Sequence, residues 1–239
     1  LEQAKKFKVK KVRIHILLDG RDVYEKSALK YVEMLEKKLT ELNDDNFDAK
    51  IASGGGRMVI TMDRYEADWQ MVEKGWHTHV LGDATKFKDS LTAIQSSYNK
   101  GLNDQYIEPF VIVNENKPVG QINDNDSVVF FNFRGDRALE ISKCFDDENF
   151  SSFDLIRKPN VLYAGMLQYD VDFKIPNLFL TEPPVIENTL TEELLKYNIR
   201  QYAISETQKY GHVTYFWNGN RLEKFDSSEE YKLIESDNL

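Results

Sequence analysis

The chain has 239 residues, of which 41% are hydrophobic and 30% are charged, and its formal net charge at pH 7 is −9. An excess of 40 acidic over 31 basic residues argues against general nucleic-acid binding, which needs a sustained basic surface. No stretch approaches the ~18 consecutive apolar residues of a membrane helix, and a single cysteine, Cys144, excludes an internal disulfide and fits a reducing, cytoplasmic setting.

The first hundred residues alternate between strand and helix patterns. Val12–Leu18 predicts a strand, and apolar residues at helical spacing predict a helix over Ala28–Leu42. A short strand is expected at Ala49–Ala52, running into three consecutive glycines. Two amphipathic helices are then expected at Tyr65–Trp76 and Phe87–Tyr98. This alternation is typical of a layered α/β domain.

The pattern continues to about residue 167. Phe110–Ile122 predicts a hairpin that turns at Asn114–Lys117. Ser127–Phe133 is almost wholly apolar, which predicts a central strand covered on both faces. A helix over Ala138–Phe145 and a strand over Val161–Leu167 are expected to follow.

Prolines mark a change of organisation at Pro176–Asn188, which we interpret as an interdomain linker. A helix at Leu190–Tyr197 and strands at Arg200–Ser205 and Val213–Trp217 are expected after it. This last block, of about 50 residues, is too small to bury a core without help. We therefore expect one domain over residues 1–178, a linker at 179–188 and an incomplete second domain over 189–239. The predicted fold class is α/β, with a layered sheet covered by helices on both faces in the first domain.

Arginine recurs beside Gly or Asp after predicted strands. The five residues are Arg21, Arg57, Arg64, Arg134 and Arg137. Ligands of open α/β sheets bind outside the carboxyl ends of the strands, and guanidinium groups bind phosphate and carboxylate through paired hydrogen bonds. Two like charges 4 Å apart repel by roughly 4 kcal/mol at an effective dielectric constant of about 20. Convergence of the five would therefore require an anionic ligand or acidic partners.

Each arginine taken singly is explained by a surface position or by a neighbouring carboxylate such as Asp22, Asp63 or Asp136. All five at strand ends favour a cleft that binds phosphate or carboxylate, without indicating the reaction. The sequence His77-Thr78-His79 could hold a metal ion, but two histidines without a third ligand more often lie in a solvated loop. For Cys144, a buried structural thiol is expected.

Longer motifs add a resemblance. The segments LDGRD, SGGGRMVITMDR, FFNFRGDR and SETQKYGHVTYFWNGNR occur in this order, and the longer stretches GGGRMVITMDRYEADW and YAGMLQYD are also present. Together they resemble the cofactor-independent phosphoglycerate mutases, in particular the plant and trypanosomatid type. The resemblance runs essentially from end to end.

The resemblance implies an isomerase that interconverts 3-phosphoglycerate and 2-phosphoglycerate in glycolysis and gluconeogenesis, without 2,3-bisphosphoglycerate. Members of the family have an alkaline-phosphatase-like domain, split in sequence, with two divalent metal ions (often Mn²⁺, alternatively Mg²⁺ or Co²⁺) and a transiently phosphorylated serine. An inserted domain binds the glycerate. The complete enzyme is expected to be a cytoplasmic monomer that acts on small molecules and not on nucleic acid or membranes.

The resemblance also assigns roles to residues. Arg134 and Arg137, with Arg57 and Arg64, would bind the substrate phosphate or carboxylate. Arg21 and Asp22 would meet the glycerate, with Asp22 at its hydroxyl groups as a proton acceptor and donor. Lys209, from the phosphatase-like domain, would face the phosphoryl group, so that Asp22 and Lys209 are the expected catalytic residues.

The nucleophilic serine and the metal ligands of the family fall outside residues 1–239. The chain is therefore expected to contain most of the inserted domain, without its N-terminal part, and the start of the second phosphatase-domain segment. It is expected to hold no metal ligand and to be inactive alone. The alternative is a non-catalytic module that binds a small phosphorylated acid.

Overall fold

The chain forms two compact units, Leu1–Thr181 and Glu182–Leu239. The computed structural model describes residues 1–64, 66–170, 173–182, 186–221 and 223–235. Both units mix helices and strands, so the predicted α/β class is confirmed. Within the described ranges, no helix is long and apolar enough to cross a membrane.

Among its described residues, the first unit contains a main sheet, a small second sheet and five α-helices. Its strands are β1 (Lys11–Leu18), β2 (Asp48–Gly56), β3 (Thr85–Phe87), β4 (Phe110–Asn114), β5 (Lys117–Pro118), β6 (Ser127–Phe130) and β7 (Leu162–Gly165). Its α-helices are α1 (Glu2–Lys6), α2 (Ala28–Leu42), α3 (Trp69–Trp76), α4 (Ser90–Asn99) and α5 (Leu139–Asp146). A π-helical turn, His77–Leu81, continues α3, and a short 3₁₀ turn lies at Asp104–Tyr106.

The main sheet has the strand order β1-β2-β4-β3, with β5 paired to β4. Strands β1 and β2 are parallel and pair from Lys11 with Asp48 to Leu18 with Gly56, so both end at the same edge. Strand β4 runs antiparallel to β2. Apolar residues of α2, α4 and the sheet form one core, in which Leu39, Ile94 and Phe110 are almost fully buried. The carboxyl ends of β1 and β2 therefore lie side by side at one edge of the main sheet.

A second core joins α3 to α5. Val72 and Trp76 of α3 pack with Ile141 and Cys144 of α5, and the Trp76 indole Nε1 donates to the Leu155 carbonyl at 2.9 Å. Cys144 is fully buried, and its burial raises the pKa of the thiol. It is a structural thiol, as the sequence indicated.

The second strand is longer than expected, because β2 continues through the three glycines to Gly56. A Cβ atom at Gly54 would lie 2.6 Å from side-chain carbons of Ile16 and Phe110, and one at Gly56 would lie 2.2 Å from the Gln105 carbonyl oxygen. The three glycines thus let neighbouring segments approach β2 closely, and the strand continues through them. The sequence had predicted that this strand ends at Ala52.

Two helices begin later than the apolar pattern predicted. Helix α3 begins at Trp69 because the Asp68 carboxylate accepts hydrogen bonds from the first backbone N–H groups. Tyr65, where the predicted helix began, lies outside the described residues. Helix α4 begins at Ser90 behind an Asp89 cap, and Phe87 instead ends β3. The hydrogen bonds to the Asp68 and Asp89 side chains therefore determine where the two helices begin.

Of the remaining predictions for the first unit, three are confirmed and one is wrong. The hairpin is confirmed as β4 and β5, with Glu115 and Asn116 both at positive φ, as a tight hairpin turn requires. Helix α5 and strand β7 lie where they were expected. The prediction of a covered central strand over Ser127–Phe133 is wrong in length and burial. Strand β6 ends at Phe130, and Phe131 and Phe133 are 77% and 69% exposed. Among the described strands, β6 pairs with β7 alone, so its apolar run is not enclosed.

In the part of the second unit that the structure describes, two parallel strands pair and two α-helices occur. These are α6 (Leu190–Lys196), β8 (Gln201–Glu206), α7 (Thr207–Val213) and β9 (Glu229–Ile234). Helix α6 begins at a capping box of Thr189 and Glu192, and β8 lies where a strand was expected. Of the linker predicted at 179–188, residues 183–185, including Pro183 and Pro184, lie outside the described ranges.

The strand predicted at Val213–Trp217 is wrong. Val213 ends helix α7, and helical hydrogen bonding continues beyond it, since the Phe216 N–H donates to the Gly211 carbonyl. The Thr214 hydroxyl also donates to the Tyr210 carbonyl at 2.8 Å. The partner of β8 is β9, which the sequence analysis did not identify. Local β propensity of aromatic and β-branched residues was overridden here by tertiary context.

Candidate functional site

The candidate site of the first unit begins at the edge where β1 and β2 end. Arg21 follows β1 and Arg57 follows β2, and the Arg57 backbone N–H donates to the Leu18 carbonyl at 3.0 Å. These two arginines follow strand ends, as predicted. Arg64 lies eight residues beyond β2, and Arg134 and Arg137 follow β6, which belongs to another sheet. Arg134 and Arg137 thus also follow a strand, but the five arginines do not share one sheet edge.

Arg57 is oriented by acidic residues of the loop after β1. Its guanidinium Nη1 lies 2.6 Å from the Asp19 carboxylate and 3.9 Å from that of Asp22. The Asp22 backbone N–H donates to the same Asp19 side chain at 3.0 Å, which closes the loop. The Arg57 side chain is mostly buried, and its Nε atom has no hydrogen-bond partner among the described residues. Asp19 thus has a positioning role that the sequence analysis missed, although it stands in the quoted LDGRD motif.

Asp22 and Arg21 face solvent. The Asp22 side chain is 79% exposed, so its carboxylate is accessible to a ligand. Arg21 is exposed as well, and it forms no hydrogen bond or ion pair with the described residues. The structure brings Asp22 to 3.9 Å from the Arg57 guanidinium, whereas no contact among the described residues joins Arg21 to another arginine.

Arg137 reaches back from the start of α5 to the segment after β2. Its guanidinium donates to the Met62 carbonyl. Burial, together with the positive charges of Arg57 and Arg64, lowers the pKa of Arg137 from its ordinary value. The Arg57 and Arg64 guanidinium groups therefore lie within electrostatic range of Arg137. An anion bound among them would relieve this repulsion.

Asp136 connects the remaining arginine to this group. Its carboxylate lies 2.8 Å from the Arg134 guanidinium and 3.9 Å from that of Arg64. Asp63, which is buried, accepts a hydrogen bond from the Asp68 N–H and also opposes the lowering of the Arg137 pKa. Neighbouring carboxylates therefore balance much of the positive charge, which was the alternative explanation of the arginines in the sequence analysis. The Arg134 side chain remains 66% exposed. We call Arg57, Arg64, Arg134 and Arg137 the arginine cluster.

A pocket of about 300 Å³ adjoins the arginine cluster. Its lining consists of Glu66, Gly135, Asp136, Leu139, Glu140 and Tyr169. Glu140 is only 1% exposed, one of its oxygens accepts from the Glu66 N–H at 3.1 Å, and the other is unpartnered among the described residues. Burial raises the pKa of Glu140. The only sequence signal for it was its position three residues after Arg137.

The remaining candidates lie elsewhere. Lys209 is exposed on helix α7 of the second unit. His77 and His79 lie on the π-helical turn and not in a solvated loop, which corrects that expectation, because His79 is buried. In the part of the chain that the structure describes, no group of three or more His, Cys, Asp or Glu side chains could hold a metal ion.

Comparisons with known proteins identify the family of the chain. Residues 1–171 match the family described as the N-terminus of BPG-independent phosphoglycerate mutase (PGAM). A probable 2,3-bisphosphoglycerate-independent phosphoglycerate mutase of Leptospira interrogans is 58% identical over 240 aligned residues, which cover 99% of this chain and 44% of that protein. The 2,3-bisphosphoglycerate-independent phosphoglycerate mutase of Trypanosoma brucei brucei is 49% identical over 224 residues, covering 92% of this chain and 41% of that protein.

A solved structure is similar over the whole chain. It is that of Leishmania mexicana phosphoglycerate mutase at low cobalt concentration, with a TM-score of 0.85 and 48% sequence identity. The match covers 100% of this chain and 44% of that one. The chain therefore spans less than half the length of the relatives that it matches.

Proposed function

The chain belongs to the family of BPG-independent phosphoglycerate mutases, and we propose that it supplies the substrate-binding arginines of an isomerase that interconverts 3-phosphoglycerate and 2-phosphoglycerate. The observation that carries this proposal is the arginine cluster. Arg137 is held at the Met62 carbonyl, within the electrostatic reach of Arg57 and Arg64. Phosphoryl transfer is catalysed mainly by positioning and by neutralising charge on the phosphoryl oxygens, and this is what such a cluster can do.

The unequal exposure of the arginines supports a division of roles. Arg57 is mostly buried and oriented by Asp19, so it would present a preorganised guanidinium to the phosphate or carboxylate. Arg134 is largely exposed and would close on the ligand from solvent. Arg64 and Arg137 would complete the cluster from the segment after β2 and from the start of α5.

Asp22 is proposed as the proton-handling residue, and Arg21 as its neighbour at the glycerate. The exposed Asp22 carboxylate would take the proton from the glycerate hydroxyl that receives the phosphoryl group. The protonated Asp22 formed in this way would give its proton to the glycerate oxygen from which the phosphoryl group departs in the next turnover. Arg21, exposed beside it, would contribute charge to the bound acid.

The two units receive different proposed assignments. Residues 1–178 would form the substrate-binding domain, residues 179–188 the linker, and residues 189–239 the start of a phosphatase-like segment. Lys209, exposed on α7, would act on the phosphoryl group from that segment. The second unit holds only two paired strands among its described residues, which agrees with a part of a larger sheet.

The divalent ions of the proposed enzyme, Mn²⁺ or alternatively Mg²⁺ or Co²⁺, do not fit the described residues, because no suitable group of ligands occurs among them. We therefore assign no step of this chain to a metal ion. We further propose that the complete enzyme is a cytoplasmic monomer that works without 2,3-bisphosphoglycerate, and that the isolated chain binds phosphoglycerate without converting it.

The proposal is tested by calorimetric titration of the chain with 3-phosphoglycerate. Arg137→Ala should weaken binding by about 1.5–3 kcal/mol, the range for a lost hydrogen bond to a charged group. Arg200→Ala removes the same charge from an exposed position of the second unit and is the matched control. Equal affinity of the two variants would show that Arg137 is not a ligand. Formation of 2-phosphoglycerate by the chain alone, with Mn²⁺ added, would overturn the view that it is inactive by itself.

A further inference from the structure

The segment between Arg57 and Arg64 contains a strained turn at Thr61. The Met62 N–H donates to the Ile60 carbonyl at 2.7 Å, and Thr61 between them has φ +68°. This is the γ-turn with positive φ, which is rare and strained, and a β-branched residue is an outlier there. Such a conformation persists only where the surrounding structure holds it.

Three contacts hold Thr61 in this conformation. Its backbone N–H donates to the Met71 carbonyl at 2.9 Å, and its hydroxyl lies 3.1 Å from His79 Nε2. Helix α3 closes on the turn at Gly75, where a Cβ atom would lie 2.2 Å from the Thr61 hydroxyl oxygen. Thr61 is 1% exposed, so water does not compete for these bonds.

His79 is itself held by a buried chain of hydrogen bonds. Its Nδ1 lies 2.7 Å from the Ser53 hydroxyl, which lies 2.7 Å from Nδ1 of His15. The two imidazole rings meet edge to face at 5.3 Å. With both imidazoles neutral, all three hydrogen bonds form if every donor points the same way along this chain of residues. Donation then runs from His15 through Ser53 and His79 to Thr61, or in the reverse direction. The chain thus fixes the orientation of His79 from the strands of the main sheet.

The turn directs its neighbours toward the arginine cluster. The Met62 carbonyl accepts the hydrogen bond from Arg137. The next residue, Asp63, is buried and accepts from the Asp68 N–H, and Arg64 then lies 3.9 Å from Asp136. A change in the turn would therefore displace both Arg64 and the anchor of Arg137.

We propose that His79 is a positioning residue for the arginine cluster, acting through its hydrogen bond to the strained Thr61 turn. The inference rests on the proposed function for its ligand, a small phosphorylated acid. His79 touches no cluster arginine in the described contacts, and its effect on the ligand is transmitted by the backbone of residues 61–64.

Two substitutions at His79 separate positioning from packing. His79→Gln retains donor and acceptor atoms that can bridge Ser53 and Thr61, whereas His79→Leu retains bulk and removes both bonds. Ile94→Ala, in the core between α2 and α4, is the control for general loss of stability. Thr61→Gly provides a background in which positive φ has no steric cost, so the turn no longer needs His79.

The readouts are 3-phosphoglycerate affinity by calorimetry and the Arg137 Nε–H resonance by NMR in the 239-residue chain. His79→Leu should weaken affinity about tenfold, as for one lost hydrogen bond, and shift the Arg137 resonance. His79→Gln and Ile94→Ala should leave both close to the parent. In the Thr61→Gly background, His79→Leu should have no further effect on either readout.

The outcomes distinguish this inference from the proposed function. An Arg137 resonance and an affinity unchanged by His79→Leu would overturn the positioning role, as would equal losses in His79→Leu and Ile94→Ala. If the parent chain does not bind 3-phosphoglycerate, the proposed function fails. The Arg137 resonance still tests the positioning role in that case, because it needs no ligand.

Discussion

Acid should destabilise the first unit through its buried histidines. Burial lowers the pKa of His15 to about 4, with the Arg13 charge as a second cause. Burial and the neighbouring His15 lower the pKa of His79 well below its ordinary value. In the unfolded chain both pKa values return to about 6.5. The unfolded state therefore takes up protons first as the pH falls, so stability is fully present above pH ~6.5 and is lost toward pH 4.

The size of the effect follows from the two pKa values of His15. Each histidine contributes a slope of up to about 1.4 kcal/mol per pH unit between its folded and unfolded pKa values. For His15 this amounts to about 2 kcal/mol at pH 5. Urea unfolding of the chain at pH 7, 6 and 5 measures it. The free energy of unfolding should fall more steeply than in His15→Asn, whose amide does not titrate and can still bond Ser53.

Taking the difference between these two proteins cancels other titrating groups. Glu140 acts in the opposite direction, because burial raises its pKa and so favours the folded state at lower pH. The carboxylates with lowered pKa values, such as Asp48, titrate in acid below this window. Parallel pH profiles for the parent and His15→Asn between pH 5 and 6.5 would refute the reasoning.

Two further substitutions test the site and the second unit. Asp19→Asn should weaken 3-phosphoglycerate binding about tenfold in calorimetry, because the Arg57 guanidinium loses its ion pair. Lys30→Gln, which changes an exposed charge on α2, is the control. Undiminished affinity of Asp19→Asn would mean that Asp19 does not position Arg57. Thr189→Ala should remove the capping box of α6 and destabilise the second unit by about 1 kcal/mol, whereas Thr189→Ser should retain it. Urea unfolding followed by near-ultraviolet signals would contradict this if the two variants unfolded alike.

Local signals in the sequence were enough to predict several elements. Helix α2 and the β4–β5 hairpin were located from periodicity and turn residues, because both signals are local. Strand β9 was missed, and a strand was expected instead at Val213–Trp217, because no local signal shows which distant segment pairs with β8. Ser127–Phe133 read as a buried strand because apolar composition does not show whether neighbouring strands enclose it.

The candidate site shows the same division. The arginines and Asp22 were identified from residue type and motif, but only Arg21 and Arg57 follow strands that end at the same edge of the main sheet. The hydrogen bond from Arg137 to the Met62 carbonyl spans 75 residues, and no periodicity indicates it. Asp19 and Glu140 were missed because a carboxylate becomes informative only when its burial and partners are known.

The sequence by itself determined the α/β class, most of the helices, the set of basic residues and the family resemblance, since these depend on residue type, spacing and order. Only the tertiary structure decided that α3 would close on Thr61 at Gly75, and that the turn would be held by the hydrogen bond to His79. The physical reason is that a strained backbone is stabilised by several contacts at once, from segments that become neighbours only on folding.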